Sequence, residues 1–280
     1  MPSPPQLTDR RALESHRSRV TGLDALFLHA QVRCNIEERL TEVNREFTCP
    51  AIITPFPETW ADFLPEATIV PDDDVLNLEP GRHDLVIHAL ALHWANDPVG
   101  QLVQARRALA PDGAIFATLF GGQTLAGMRA CLAEAEVALT GGLSPRVLPM
   151  GEIRDLGALL QRAGFALPVA DANVFPVSYD SLWHLMRDLR AMGEANAMAD
   201  RRRSPTPRAL FERAAELYAQ RFSNETGRVV AEFDVIFLTG WAPAPSQPQP
   251  LKPGSATHRL ADALGTSEFR AHDPVTGDRN

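Results

Sequence analysis

Apolar residues along this chain recur in two rhythms. Between Asp9 and Phe47, the positions Leu23, Leu26, Phe27, Ala30, Ile36, Leu40, Val43 and Phe47 are spaced mostly by three and four. That spacing predicts helix with one apolar stripe. From Ala51 the rhythm changes. Ala51-Ile52-Ile53 and Thr68-Ile69-Val70 are short apolar runs, with a helix predicted over Glu58–Leu64 behind Pro57. The run from Asp84 to Leu90 is almost continuously apolar, the pattern of a parallel strand buried on both faces. A helix over Pro98–Leu109 is stopped by the turn signal Pro111-Asp112-Gly113. Ala114–Phe120 reads as another buried strand, ended by Gly121-Gly122, and Leu125, Met128, Leu132, Ala135 and Leu139 mark the next helix.

Beyond Met150 a helix runs through Leu156, Leu159 and Leu160 to Gly164, and Pro168–Val177 has room for a strand. Leu182, Leu185, Leu189 and Met192 form one helical stripe, and Leu210, Ala214, Leu217 and Phe222 form a second. Val229–Trp241 is the longest strand candidate, with Phe233, Val235 and Phe237 on one face and Ile236 and Leu238 on the other. Strands alternating with helices indicate an α/β fold with a mainly parallel sheet covered on both faces. Three segments follow: a helical one over 1–48, an α/β domain over 49–242 with cap helices at about 179–222, and a Pro/Gly-rich tail over 243–280.

Composition narrows the function classes. Among 280 residues, 45% are hydrophobic and 22% charged, an ordinary globular balance. No run of 18 apolar residues exists, so no transmembrane segment is expected, and the N-terminal stretch with Asp9 and Glu14 reads as neither signal nor transit peptide. The cytoplasm is the expected location. A net charge of −8 argues against nucleic acid as a partner. Of 27 basic residues only Lys252 is lysine, which fits a GC-rich bacterial genome. Cys34, Cys49 and Cys131 form no C-x-x-C pair and are expected to be buried, reduced thiols. A homo-oligomer is compatible with all of this.

No G-x-x-x-x-G-K-[ST], G-x-S-x-G, H-E-x-x-H or G-x-G-x-x-G occurs. What remains is an ordered series of unusual words. It comprises Leu92-His93-Trp94-Ala95-Asn96-Asp97, Phe120-Gly121-Gly122-Gln123-Thr124-Leu125, Gly141-Gly142-Leu143-Ser144-Pro145-Arg146, Met192-Gly193-Glu194-Ala195-Asn196 and Thr239-Gly240-Trp241. In this series the chain resembles the class I S-adenosylmethionine-dependent methyltransferase superfamily. Within it the likeness is to the branch of the mitochondrial complex I assembly factor 5, an arginine hydroxylase, and its alphaproteobacterial relatives. The biotin-pathway carboxyl methyltransferase is a more distant likeness. The resemblance runs from about Asp9 to Ala256 and is specific after Asp84. It implies a Rossmann-like, seven-stranded sheet whose last two strands are antiparallel, a helical cap inserted before the last strand, and S-adenosylmethionine as cofactor.

The N-terminal half of the sheet departs from that pattern. The superfamily carries a glycine-rich turn after its first strand and an acidic residue at the end of its second, a logic parallel to the dinucleotide fold. Here the turn is Thr54-Pro55-Phe56-Pro57-Glu58-Thr59-Trp60, with two prolines and no glycine. Proline donates no N–H, and bulky side chains keep a ligand away from backbone. Only 34 positions separate Pro50 from Asp84, room for one strand-helix-strand unit but not two. One strand and its helix are therefore missing, and the sheet is shortened.

Candidate cofactor residues are Asp72 and Asp73, with Asp74, where the resemblance places an acid facing adenine; a solvated turn is the alternative. His88, His93 and Trp94 flank the end of a buried strand, where open sheets place ligands. Gly121, Gly122, Glu194 and Asn196 are candidates for the substrate and cap side, with a close-packed turn and helix-end polar groups as their structural alternatives. The five-residue spacing of His88 and His93 suits no metal pair, and no catalytic nucleophile with its base can be assembled. Arg201-Arg202-Arg203 is either a solvated loop or a contact for an acidic partner. Three functions stay open. They are a methyltransferase with a degenerate cofactor turn, a non-catalytic assembly factor or chaperone whose client is a respiratory complex subunit, and a protein-arginine hydroxylase.

Overall fold

The computed structural model describes residues 6–43, 45–247 and 265. The chain through Ala244 forms one compact unit, and the segment from Pro245 a second. Most of the predicted tail lies outside the described residues.

Among the described residues six strands form one sheet: β1 (Pro50–Ile53), β2 (Thr68–Val70), β3 (His83–His88), β4 (Leu109–Phe120), β5 (Ala166–Tyr179) and β6 (Val229–Trp241). Their order is β2-β1-β3-β4-β6-β5. The pairs from β2 to β4 are parallel, and β6 runs antiparallel to both β4 and β5. The sheet thus has one strand fewer than the seven the resemblance implies. Between Pro50 and Asp84 the chain holds β1, one short helix and β2, the single unit that the spacing allows.

Alternation along each buried strand divides the core. Ile52, Leu85, Ile87, Phe116, Phe233, Val235 and Phe237 face one layer, made by α2 (Phe27–Val43), α5 (Ala126–Thr140), α7 (Leu182–Ala191) and α8 (Arg208–Phe222). Ala51, Ile53, Val86, Ile115, Ile236 and Leu238 face the other, made by α4 (Pro98–Ala108) and α6 (Ile153–Ala163). The two faces of β6 are those the period-two pattern predicts. Helix α6 ends at Gly164, whose φ of 84° is left-handed.

Several boundaries differ from the sequence expectations. The N-terminal stripe is not one helix: α1 (Arg10–Arg17) stops, the chain turns through Val20-Thr21-Gly22, and a 3-10 turn leads into α2. Leu23 is left exposed as a result. Helix α3 covers only Pro57–Trp60. Pro111-Asp112-Gly113 does not separate a helix from a strand but forms a bulge inside β4, with Asp112 at a φ of 64°. At 14 residues β5 is longer than β6, with 13. The cysteines are all free, but only Cys131 is buried, and Cys34 is exposed on α2.

Candidate functional site

The parallel strands β1, β2 and β3 end together, and the residues after them build the first part of the site. After β1, Thr54 donates its backbone N–H to Val70 and accepts that of Phe56 on its hydroxyl. Pro55 and Pro57 have no N–H to give. The Phe56 ring is buried and stands edge-on against His29 of α2, with centroids 5.1 Å apart. Every backbone donor from Thr54 to Pro57 is thus either spent or missing. Burial pushes the His29 imidazole down to about 4, so it is held neutral.

After β2, Asp72 is buried, not solvated. Arg17 Nη1 lies 2.9 Å from both of its carboxylate oxygens, and Arg10 Nη1 lies 3.3 Å from Oδ2. Arg10 also donates to the Asp72 carbonyl and reaches Asp73, whose side chain stays exposed. Burial works against the charged carboxylate, but the two guanidiniums outweigh it and hold Asp72 below its ordinary value. Gln101 of α4 donates to the carbonyls of Asp72 and Asp73, and Gln104 to that of Asp74. The Gln101 carbonyl oxygen is then free to accept from His88 Nε2 at 2.8 Å. His88 at the end of β3 is therefore the Nε2–H tautomer, and burial lowers its pKa.

Arg10 and Arg17 come from an N-terminal arm that is stitched down along its length. Asn96 Oδ1 accepts the N–H groups of Leu7 and Thr8, Asp9 N–H donates to Ala197, and Ala199 N–H donates to Leu7. Leu13 is buried with Trp94, Ala197 and Met198. Arg201 and Arg203 both reach Asp9, so part of the arginine-rich loop is engaged within the chain, and Arg202 donates to Ser204.

The second part of the site lies between α5, α7 and α8, where the sequence predicts a cap. A cavity of about 250 Å³ is walled by Phe120, Met128, Met150, Met186, Phe211 and Phe233. Trp94, Glu194 and Asn196 line it as well. Trp94 Nε1 donates to Glu194 Oε2 at 2.7 Å, and His93 Nε2 donates to the same oxygen at 3.3 Å. Burial opposes the charge on Glu194, yet His93, Trp94 and the positive field of Arg17 keep its pKa below the ordinary value. A charged carboxylate therefore sits among aromatic and methionine side chains. Asn196 donates to the Pro145 carbonyl and accepts from Met198 N–H, which fixes the loop after α7. Leu125, at the cavity wall, holds a left-handed φ of 54° at the start of α5.

The structure brings His93, Trp94 and Glu194 into mutual contact and places Asn196 beside them. Asp72 and His88 are joined through Gln101 at the other end. Gly121 and Gly122 stand apart from both: a Cβ on Gly121 would meet Asp234 and Ile236 of β6, and one on Gly122 would meet Glu152. Sequence reading missed Arg10, Arg17, His29, Gln101 and Arg146. Arg10 and Arg17 carried one signal, a seven-residue separation that puts both on one face of a helix. Among the described residues, no group of three or more His, Cys, Asp or Glu is placed to hold a metal, and no helix is long and apolar enough to cross a membrane.

No family model matches the chain. It is 39% identical over 199 residues to the arginine-hydroxylase NDUFAF5 of Dictyostelium discoideum, covering 71% of this chain and 45% of that protein. To the human arginine-hydroxylase NDUFAF5 it is 37% identical over 194 residues, 69% of this chain and 56% of that one. To the malonyl-[acyl-carrier protein] O-methyltransferase of Laribacter hongkongensis it is 32% identical over 209 residues, 75% of this chain and 65% of that one. The chain is similar to the NDUFAF5 arginine-hydroxylases and to the malonyl-[acyl-carrier protein] O-methyltransferases. It spans between 45% and 62% of the NDUFAF5 proteins named for Dictyostelium and Danio rerio. A solved candidate methyltransferase of Bacillus halodurans superposes with a TM-score of 0.46 at 14% identity, over 74% of this chain and 98% of its own. That likeness is too loose to bear on the fold, which rests on the strand pairings themselves.

Proposed function

We propose that this NDUFAF5-like chain is a non-catalytic member of its superfamily that holds a protein client in the cavity under its cap. The observation that carries this reading is the state of Asp72. Its carboxylate is taken by Arg17 and Arg10, and from Thr54 to Pro57 the turn beside it leaves no backbone N–H free. A cofactor whose adenine meets this acid and whose amino-acid end meets this turn needs both to be available. The residues present do not fit S-adenosylmethionine.

The cap side supports the client. A cavity of about 250 Å³ lies below the usual range for drug-sized ligands and suits one long side chain. Glu194 supplies a buried negative charge, and Trp94 supplies an aromatic face beside it. That pairing suits a guanidinium, by salt bridge and by cation–π contact. Relatives named arginine-hydroxylase make an arginine side chain the natural guest. On the same likeness the client is a subunit of a respiratory complex, and the role is that of an assembly factor or chaperone. Hydroxylation of the guest is the second reading, favoured by the 39% identity to a hydroxylase.

Calorimetric titration with S-adenosylmethionine and with its demethylated product tests the first part. No heat at millimolar ligand, with an unchanged melting temperature, is the expected result. Micromolar binding, about −8 kcal/mol, would restore the enzyme reading.

A further inference from the structure

Three ionisable side chains line the cavity under the cap: Arg146, Arg190 and Glu194. Arg146 is engaged within the chain. Its Nε and Nη2 donate to Glu136 and its Nη1 to Thr206, and the Glu136 carboxyl is held down to about 2 by that arginine. Glu194 receives Trp94 and His93 on one oxygen, and its Oε1 accepts no hydrogen bond from the described residues. Arg190 is different again. It is exposed in the last turn of α7, where a cation is favoured by the helix dipole, and among the described residues it meets no carboxylate. Met186, Leu189 and Arg190 stand at i, i+3 and i+4, so a single face of α7 carries both an apolar wall of the cavity and this unpaired guanidinium.

The cavity therefore has a buried negative charge and an exposed positive one, each with spare hydrogen-bonding capacity. Resting on the reading that a client's basic side chain enters here, we infer that Arg190 selects clients with an acidic residue next to that basic one. An aspartate or glutamate beside the inserted side chain gives Arg190 a carboxylate that matches its planar fork. A basic neighbour meets like charge and is rejected, so the same residue supplies attraction and repulsion. Because Arg190 is exposed, its effect is modest and falls with salt, whereas Glu194, desolvated, carries the larger share.

The test uses the full chain and blocked pentapeptides, with binding read by calorimetry at low and moderate salt. One peptide has a central arginine between neutral residues, and two others place an aspartate directly before or after it. A fourth places a lysine there. One aspartate peptide is expected to bind about fivefold tighter than the neutral peptide, the upper range for an exposed pair. Arg190→Glu reverses that order, so that the lysine peptide gains and the aspartate peptide loses. Equal affinities for the aspartate and neutral peptides overturn the inference, as does a preference for aspartate that survives in Arg190→Glu. Glu194→Gln separates the two layers, since it weakens every arginine peptide, about tenfold, while the aspartate preference persists. If no arginine peptide binds the unaltered protein, including the neutral one, the client reading of the cavity fails, and this inference fails with it.

Discussion

The two ends of the site have met the same problem, charge inside a folded core, in opposite ways. At the ends of β1 and β2 the charge is closed off. Asp72 is shared by two guanidiniums from the N-terminal arm, and His29 is held neutral beneath Phe56. Under the cap, Glu194 is charged but has an oxygen to spare, and the space in front of it is open. Beside the degenerate turn a cavity of about 350 Å³ remains, lined by Arg17, Gly22, Leu26, Pro55, Phe56 and Glu58, but the acid after β2 is already taken. The arm has set its own cations on Asp72, and the end that kept a spare carboxylate oxygen is the one we propose takes a client. The contrast is tested most severely at Asp72. Its side chain is 5% exposed and that of Arg17 is 8% exposed, so removing one partner strands a buried charge. Asp72→Ala is expected to cost about 3–5 kcal/mol of stability, read from urea midpoints. A variant that kept its stability and lost a ligand instead would make Asp72 a binding residue and erase the distinction between the two ends.

The closed end also sets a pH dependence. His29 has an ordinary value of 6.5 and is pushed down to about 4 in the fold by burial. The unfolded chain therefore takes up the proton first as pH falls. The stability His29 contributes is complete above pH 6.5 and is lost between there and about pH 4, by about 3 kcal/mol. His88, also lowered by burial, adds to the same slope. Glu194 and Asp72, both held below their ordinary values, extend the loss at lower pH. Urea titrations from pH 7 to pH 4 give the slope, and His29→Gln should flatten its upper part. A slope unchanged in that variant would mean that His29 is not the neutral wedge under the turn.

Much of this was legible in the sequence, for reasons of scale. Strand faces on β6 follow from a period of two, and the shortened sheet follows from counting positions between Pro50 and Asp84. Both are local or arithmetical. Glu194, His93 and Trp94 were singled out because they fall in distinctive words. The partners of Asp72 were not legible, because Arg10 and Arg17 lie 62 and 55 positions away. In a chain whose basic residues are almost all arginine, their shared helix face does not say which acid they meet. The turn at Val20-Thr21-Gly22 was hidden by apolar spacing that continues across it, since periodicity cannot tell one helix from two in the same phase. Pro111-Asp112-Gly113 was read as a stop because a bulge and a turn use the same residues.

The glycine pair after β4 separates structure from site at the finest grain. Gly121 and Gly122 were candidates for the substrate side, but neither lines the cavity, and their surroundings differ. A Cβ on Gly121 would come within 2.6 Å of Asp234 Oδ2 and 2.7 Å of Ile236 Cδ1, and Ile236 is buried in the core layer of α4 and α6. A Cβ on Gly122 would meet the end of Glu152, an exposed side chain that is free to swing aside. Gly121→Ala is therefore expected to cost about 1–3 kcal/mol by overpacking, and Gly122→Ala to stay within about 0.5 kcal/mol. Urea midpoints measure both, and peptide affinity should move in neither. If Gly122→Ala weakened an arginine peptide without touching stability, the loop after β4 would join the open end of the site. If it moved nothing, the cap cavity ends at Thr124 and Leu125, and the glycines serve only to let β4 pass close to β6.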